Sequence, residues 1–212
     1  HRLMAQLSYT TPKYLNGWTS TTISVIYNGF SGSRYSLTMN EVSDFNGDGQ
    51  KGNSLLYIPT EAELDNMNFV DYTDKKTGKL IMSAADSRKA FTEWVNNDDY
   101  AKDHRGQYAV RNSNLSNWEH EIDLHLAQTI YNAQGLGKLE FTFDIINFAN
   151  MLNKKWGASY SSAYNLSPLT VVSLSTDENG NRNPGYAFNN AKINKSDISS
   201  RWHAQVGIRL TF

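Results

Sequence analysis

The residues with the clearest capacity for chemistry form an oxygen-rich turn in the first quarter of the chain. In the stretch DFNGDGQKGN, Asp44, Asn46 and Asp48 alternate with other residues, and a glycine follows at the sixth position. Side-chain oxygens at positions 1, 3 and 5, a turn glycine at 6 and the Gln50 carbonyl at 7 correspond to the first half of an EF-hand loop. The spacing therefore predicts a calcium-binding turn.

The same turn has a purely structural alternative. Position 12 of an EF-hand is a bidentate Glu, but this chain has Leu55, so Glu61, Glu63, Asp65 or another chain segment would have to complete the coordination. Asn, Asp and Gly are also common in turns, because their side chains hydrogen-bond to nearby backbone amides. The sequence leaves two alternatives open. One is a weak calcium site with a dissociation constant of about 10⁻⁴–10⁻³ M, and the other is a turn without an ion.

No catalytic grouping follows from the spacing of the reactive side chains. His120 and Glu121 have the order found in a zinc-peptidase helix, but His125 lies one residue too far away for the i, i+4 pair. Cysteine is absent, and the five histidines are scattered along the chain. We therefore expect a protein that is not an enzyme and whose only candidate cofactor is Ca²⁺.

Composition narrows the class of partner. The net charge is −1 and no polybasic run is present, which argues against a nucleic-acid partner. No run of about 18 apolar residues predicts a transmembrane helix, whereas the strands of a membrane barrel need only about 10 alternating residues. A strand pattern begins immediately after His1, so we expect the chain to be a piece of a longer protein.

Regular alternation of apolar and polar residues indicates strands with one apolar and one polar face. The pattern is clearest at the C-terminus, where six apolar residues alternate with polar ones: Trp202, Ala204, Val206, Ile208, Leu210 and Phe212. Similar segments occupy residues 2–10, 23–38, 118–130, 139–145, 169–175 and 185–189. The sequence therefore predicts about seven strands.

Short connections alternate with long loops along the chain. Residues 11–17, 131–137 and 177–181 are short turns, whereas residues 39–116 form one large loop. Soluble sandwiches seldom carry a loop of that length, but outer-membrane barrels combine short periplasmic turns with long extracellular loops. If the C-terminus is periplasmic, every short turn lies on that side. The sequence therefore predicts an all-β fold that forms part of a large transmembrane antiparallel β-barrel.

The large loop is predicted to be partly helical and acidic. Thr60 and Glu63 form a capping box that begins a short helix through Asp65. Apolar residues at i, i+3 and i+4 predict a second helix over about 84–96. Residues 41–111 carry 13 acidic and 9 basic side chains, a net charge of −4. We expect a folded acidic cap.

Three blocks make the chain recognisable. They stand at 35–60 (YSLTMNEVSDFNGDGQKGNSLLYIPT), 143–157 (FDIINFANMLNKKWG) and 200–212 (SRWHAQVGIRLTF). In this order and spacing they resemble the C-terminal part of TonB-dependent outer-membrane receptors of the Bacteroidetes, of the type with a carboxypeptidase-regulatory-like N-terminal domain. The resemblance spans essentially the whole chain. Ser54 stands where that family commonly has an acid, which removes one ligand of a metal site.

The resemblance implies that residues 1–212 are the C-terminal part of a receptor barrel of about 22 strands, without its plug and earlier strands. Residues 39–116 would be a large extracellular loop. The protein would lie in the outer membrane of a Gram-negative bacterium and import a nutrient actively, and this segment would supply the last strands and substrate-facing loops. Implied partners are the remaining barrel and plug, the TonB complex, the barrel-assembly machinery, the lipid bilayer and a surface lipoprotein lid.

The resemblance and the strand pattern together assign roles to three groups of side chains. The signal read by the barrel-assembly machinery would comprise Gly207, Ile208, Leu210 and Phe212. Six polar residues are expected to face the barrel lumen: Glu119, Glu121, Asp123, Glu140, Asp144 and Arg209. Six aromatic residues would either stack on a ligand or form the girdle at the membrane interface: Trp94, Tyr100, Tyr108, Trp156, Tyr160 and Tyr164.

Two other functions fit parts of the pattern. A calcium-dependent β-sandwich that mediates binding or adhesion at the cell surface would keep the Asp44–Asp48 turn and the aromatic loops, but it would need a closed soluble core. A receptor-like barrel could also serve as a structural subunit of an outer-membrane assembly without transport. The substrate does not follow from the sequence, because one architecture admits many ligands.

Overall fold

The chain folds into two units, each assembled from separate stretches of sequence. The computed structural model describes residues 1–41, 44–131, 135, 137–160, 164–176 and 178–212. The first unit comprises His1–Gly32, Ser116–Ser161 and Asn194–Phe212, and the second comprises Ser33–Leu115 and Ser162–Ile193. The predicted turns at 131–137 and 177–181 lie partly outside the described residues.

Strands dominate both units, so the predicted all-β class is confirmed, with 47% strand against 15% helix. The strands are β1 (Arg2–Thr10), β2 (Thr19–Phe30), β3 (Arg34–Glu41), β4 (Tyr57–Ile58), β5 (Tyr72–Thr73), β6 (Leu80–Met82), β7 (Gln107–Tyr108), β8 (Asn114–Leu115), β9 (Glu119–Ile130), β10 (Lys138–Ile146), β11 (Asn165–Thr176), β12 (Arg182–Phe188) and β13 (His203–Thr211). The helices are α1 (Glu61–Asn66), α2 (Ala84–Asn97), α3 (Asp99–Asp103) and α4 (Phe148–Leu152). Among the described residues no helix is long and apolar enough to cross a membrane.

The first unit is built on an antiparallel sheet with the strand order β1-β2-β9-β10-β13. Its register aligns side chains of one kind across all five strands. One row runs through Tyr9, Ile23, Leu126, Phe143 and Val206, each paired with the next. Directly paired residues of an antiparallel sheet point to the same face. The row therefore makes one face of this sheet apolar.

The second unit contains a four-stranded sheet with the order β12-β11-β3-β8. Strands β3 and β11 are parallel, whereas β11–β12 and β3–β8 are antiparallel. The expectation of antiparallel strands throughout is therefore wrong for this pair. No sheet in the described part of the chain closes on itself, so the barrel remains a proposal.

One predicted strand, residues 23–38, is two strands in the structure. Strand β2 ends at Phe30, and the amide of Ser31 donates to the His1 carbonyl at 2.9 Å. A side chain at Gly32 would collide with Ser116, whose Oγ lies 1.9 Å from the position of an added Cβ. Only glycine fits at this close approach, and it carries little propensity to continue a strand.

The acidic cap has a core of its own. Six of its apolar side chains are essentially inaccessible to solvent: Leu37, Leu56, Ile58, Phe91, Val95 and Leu169. Leu169 comes from β11, so the cap extends beyond the predicted 39–116 segment into residues 162–193. The periodicity placed the helices but could not show which distant strand completes the core.

Both predicted helices of the cap are confirmed. Thr60 Oγ1 accepts from the amide of Glu63 at 3.3 Å, and Glu63 Oε2 accepts from the amide of Thr60 at 2.8 Å, which is the reciprocal capping box. Helix α2 is tied to the end of α1 by Arg88. Its guanidinium donates to the carbonyls of Leu64, Asp65 and Met67 at 2.7–2.8 Å. These three charge-assisted hydrogen bonds satisfy carbonyls that α1 leaves without helical partners.

Truncating Phe91 tests the cap core. The Phe91 side chain is fully buried between Phe69 and Trp94, with ring centroids 6.1 and 5.9 Å away. Phe91→Ala should lower the free energy of unfolding by about 3–5 kcal/mol, because it leaves a cavity. Denaturant titration measures the change. The matched control Tyr164→Ala removes an aromatic ring that is 83% exposed, and an equal loss there would contradict the proposed core.

Candidate functional site

The apolar face of the five-stranded sheet is exposed rather than packed. Val206 is 80% and Ile208 73% exposed, and Leu3, Leu7, Ile23, Phe141 and Phe143 are also exposed. The polar face is the better covered one, because Ser24 is only 5% exposed. This arrangement inverts the usual sheet of a water-soluble protein, in which the apolar face is packed on a core.

Hydrogen bonds join the side chains of the polar face. His125 Nδ1 lies 2.5 Å from Asp144 Oδ1, and the hydroxyl oxygens of Ser8 and Ser24 are hydrogen-bonded to each other at 2.7 Å. The predicted lumen residue Glu140 lies 3.4 Å from Arg209, across the β10–β13 pair. The sheet thus presents a mutually bonded polar wall on one side. The six predicted polar residues all lie in strands on this side.

Aromatic side chains mark both ends of the same sheet. Trp18 precedes β2 and Phe212 follows β13, and the register places these two positions at one end. Trp118 and Trp202 precede β9 and β13 at the other end. All four side chains are exposed. Exposed aromatic rings at both ends of membrane strands form the interface girdles of outer-membrane barrels.

The oxygen-rich turn is held by its own backbone. Asp44 accepts from the amides of Gly47 at 2.7 Å and Gly49 at 2.8 Å, and Asp48 accepts from the amide of Gln50 at 2.8 Å. That backbone donor, followed by the Asn53 side-chain amide at 2.5 Å, holds the pKa of Asp48 below its usual range. These contacts are those of a structural Asx turn, and they favour the alternative without an ion.

Ligation of calcium by Asp44, Asn46, Asp48 and the Gln50 carbonyl remains a prediction. In the described part of the chain, no three His, Cys, Asp or Glu side chains are grouped so that they could hold a metal ion. The turn therefore offers two carboxylates and amide oxygens, without the third acidic ligand that the sequence also lacks at Leu55. A site of that composition would bind weakly.

Sequence reasoning missed Glu41, a buried acid beside this turn. It is only 7% exposed, and its Oε2 accepts from the Gly52 amide at 3.1 Å. Its Oε1 has no hydrogen-bond partner among the described residues. Glu41 continues the apolar face formed by Tyr35, Leu37 and Met39. The sequence signal that could have identified Glu41 is its position: it is an acidic residue that directly continues an alternation of apolar residues.

An open cleft of about 880 Å³ lies in the second unit. Tyr57 and Tyr108 form one wall, paired edge to face with centroids 5.1 Å apart. Glu63 accepts from the Tyr57 hydroxyl at 2.9 Å and thereby raises the pKa of that hydroxyl above its ordinary value. Arg111 and Arg182 also line the cleft. Its volume is that of an ordinary small-molecule site.

The predicted aromatic residues have different environments. Tyr108 lines the cleft, Trp156 and Tyr160 line a second pocket of about 290 Å³ in the first unit, Trp94 and Tyr100 pack against the cap core, and Tyr164 is exposed. The C-terminal positions Ile208 and Leu210 lie in β13 on the exposed apolar face. A side chain at Gly207 would approach Thr142 Oγ1 to 2.6 Å.

Comparisons of the chain with protein-family models, with curated proteins and with solved structures found no match. The structure therefore defines only a broad class of protein. The chain is mostly β, and its first unit is an open antiparallel sheet with an exposed apolar face. A more particular function has to be proposed from the chemistry of its residues.

Calcium titration separates the two alternatives for the turn. Because the amides of the turn already occupy the carboxylates, calorimetry of the intact protein with millimolar CaCl₂ should show no binding heat. Asp48→Asn serves as the comparison. A heat that is present in the parent protein and lost in this variant would contradict the structural alternative and support ligation by Asp48.

Proposed function

We propose that this chain supplies the last strands and the external loops of a TonB-dependent importer in the outer membrane of a Gram-negative bacterium. The observation that carries the proposal is the exposed apolar face of the first unit's sheet. Each Val, Leu or Ile side chain removed from water contributes about 1.5–3 kcal/mol. Contact with lipid would supply that stabilisation across all five strands at once.

The dimensions of the sheet support the same proposal. Its strands contain 9 to 12 residues, and a tilted transmembrane strand needs about 9–11. The hydrogen-bonded polar face suits a water-filled or plugged lumen, and the aromatic rings at both ends suit the two membrane interfaces. The three sequence blocks that resemble receptor barrels include the whole of β13 and the last four residues of β10.

The two edge strands of the sheet support the proposal, because each could pair with a further strand. In the described residues β1 has a neighbour only in β2, and β13 only in β10. Unpaired edges of this length promote aggregation unless another strand covers them, and barrels remove such edges by closure. The remaining strands of the receptor would cover both edges, and Gly207, Ile208, Leu210 and Phe212 would carry the signal for assembly.

The protein would perform transport rather than chemistry. Its external loops would bind the nutrient, and the plug, pulled by the TonB complex, would release it inward. A calcium-dependent sandwich is the weaker candidate, because a sandwich packs its apolar face against a second sheet, and that face is exposed in the described part of the chain.

A pair of neighbouring substitutions tests the membrane assignment. Val206 and Gln205 are adjacent in β13 and face opposite sides, since Val206 pairs with Phe143 and Gln205 pairs with Asp144. Val206→Arg should disfavour the membrane-embedded form by about 2–4 kcal/mol and reduce the folded protein recovered from outer membranes. Gln205→Arg, which points to the polar face opposite Asp144, should assemble normally.

The same pair gives the opposite result for a water-soluble module. Replacing a water-exposed apolar side chain with a charged one improves solubility, so Val206→Arg would raise the yield of soluble protein. Recovery of both variants in the soluble fraction without detergent would contradict the membrane assignment.

Transport is tested on the intact protein. An importer requires a TonB box upstream of this chain, and deleting that box should abolish nutrient uptake while the assembled barrel remains at its normal level in the outer membrane. Growth on the limiting nutrient and immunoblotting of membrane fractions measure the two quantities. Unchanged uptake without a TonB box would instead support the structural-subunit alternative.

A further inference from the structure

The aromatic wall of the cleft in the second unit is preorganised. Tyr57 and Tyr108 face each other across the two-residue ladder of β4 and β7, and Glu63 fixes the direction of the Tyr57 hydroxyl. Tyr108 is largely exposed, so one face of its ring remains available. Tyrosine rings held in this way offer a flat apolar surface at a low cost in side-chain entropy.

The charged side chains of the cleft differ in how far their hydrogen bonding is satisfied. Asp48 accepts from Gln50, Asn46 and Asn53, and Glu63 accepts from Tyr57 and twice from Thr60. These carboxylates therefore have little capacity left for a ligand. A cationic ligand would have to displace existing donors.

The two arginines have spare capacity. Arg182 donates through Nη1 to the Phe45 carbonyl at 3.3 Å, and a guanidinium has five N–H donors. Arg111 has neither a hydrogen bond nor an ion pair with any described residue, and Arg182 has no ion pair with any of them. Planar guanidinium groups bind carboxylate and phosphate oxygens in pairs. The charged groups of the cleft that still have free hydrogen-bond donors are therefore the positively charged ones.

A buried hydroxyl gives an independent indication of a ligand. Ser54 lines the cleft and is only 8% exposed, yet its Oγ has no hydrogen-bond partner among the described residues. A buried polar atom without a partner is costly, so such atoms mark positions where water or a ligand belongs. The Ser54 hydroxyl carries no negative charge that would repel an anion.

We propose that this cleft binds a small organic anion that carries a carboxylate or phosphate group on a flat ring. The anionic group would lie against Arg111 and Arg182, the ring against Tyr57 and Tyr108, and a polar atom of the ligand would pair with Ser54. This inference goes beyond the proposed function and does not depend on it, because the cleft lies entirely within the second unit.

Matched ligand pairs test the charge requirement and separate the two sources of the anion. Isothermal calorimetry of the intact protein in detergent would compare benzoate with neutral benzyl alcohol, and phenyl phosphate with neutral phenol. At least one charged member should bind. Its neutral counterpart should bind at least about tenfold more weakly, the change expected from losing one charge-assisted contact. The pair that responds identifies the anionic group as a carboxylate or a phosphate.

Substitutions locate the binding. Arg111→Gln and Arg182→Gln should each lower the affinity for the charged probe by about tenfold or more. Arg111→Lys should give an intermediate loss of affinity, because it keeps the charge without the paired donors. Arg201→Gln is the matched control, because Arg201 is exposed and lies in the first unit. Far-UV circular dichroism would verify that each variant keeps its fold.

Three results would overturn the proposal. The first is the absence of binding heat for both charged probes, and the second is equal affinity for the charged and neutral members of both pairs. The third is an equal loss of affinity in Arg201→Gln and the cleft variants. The Val206→Arg measurement addresses a different unit, so failure of the membrane assignment would leave the binding result interpretable.

Discussion

The hydrogen-bond register of the five-stranded sheet is the constraint on which the first unit depends. Because side chains alternate with a period of two, shifting any strand by one residue would move its apolar set to the opposite face. The register observed here keeps both rows intact, for example Ser8, Ser24, His125, Asp144 and Gln205 on the polar side. One face consequently carries an apolar row across all five strands, and the other carries polar side chains that can hydrogen-bond between neighbouring strands.

That separation determines which environment the sheet tolerates. An apolar face that is exposed to water is unfavourable in proportion to its area, whereas polar side chains such as His125 and Asp144 are hydrogen-bonded across the other face. A bilayer on one side and a hydrated lumen on the other match these two surfaces. Our proposal of a membrane wall follows from this match.

The second unit follows a different physical rule, because it buries its apolar side chains within itself. Phe91 and Val95 of α2 belong to one buried cluster with residues of β3 and β11, and Arg88 joins α2 to the end of α1. A cap with its own core can hold side chains in fixed positions, which a long mobile loop cannot do. The preorganised Tyr57–Tyr108 wall and the spare donors of Arg111 and Arg182 rest on that rigidity.

The local sequence pattern by itself determined several features correctly. The alternation at 202–212 predicted the faces of β13, and the Thr60–Glu63 capping box and the apolar spacing predicted α1 and α2. These features depend on neighbours within about four residues, so short-range sequence contains the information needed. The Asp44–Asp48 turn was also recognisable, but its spacing fitted two chemistries, and the direction of its amide donors is a property of the folded backbone.

Only the tertiary structure decided which distant segments meet. The parallel pairing of β3 with β11 joins residues more than a hundred positions apart, and no periodicity specifies a partner at that range. The same holds for the cleft, because Ser54, Tyr108 and Arg182 come from three separate stretches of chain. The break at Gly32 and the buried Glu41 likewise depend on what packs beside them. Alternation along a strand states which face is apolar, but contacts between strands decide what that face meets.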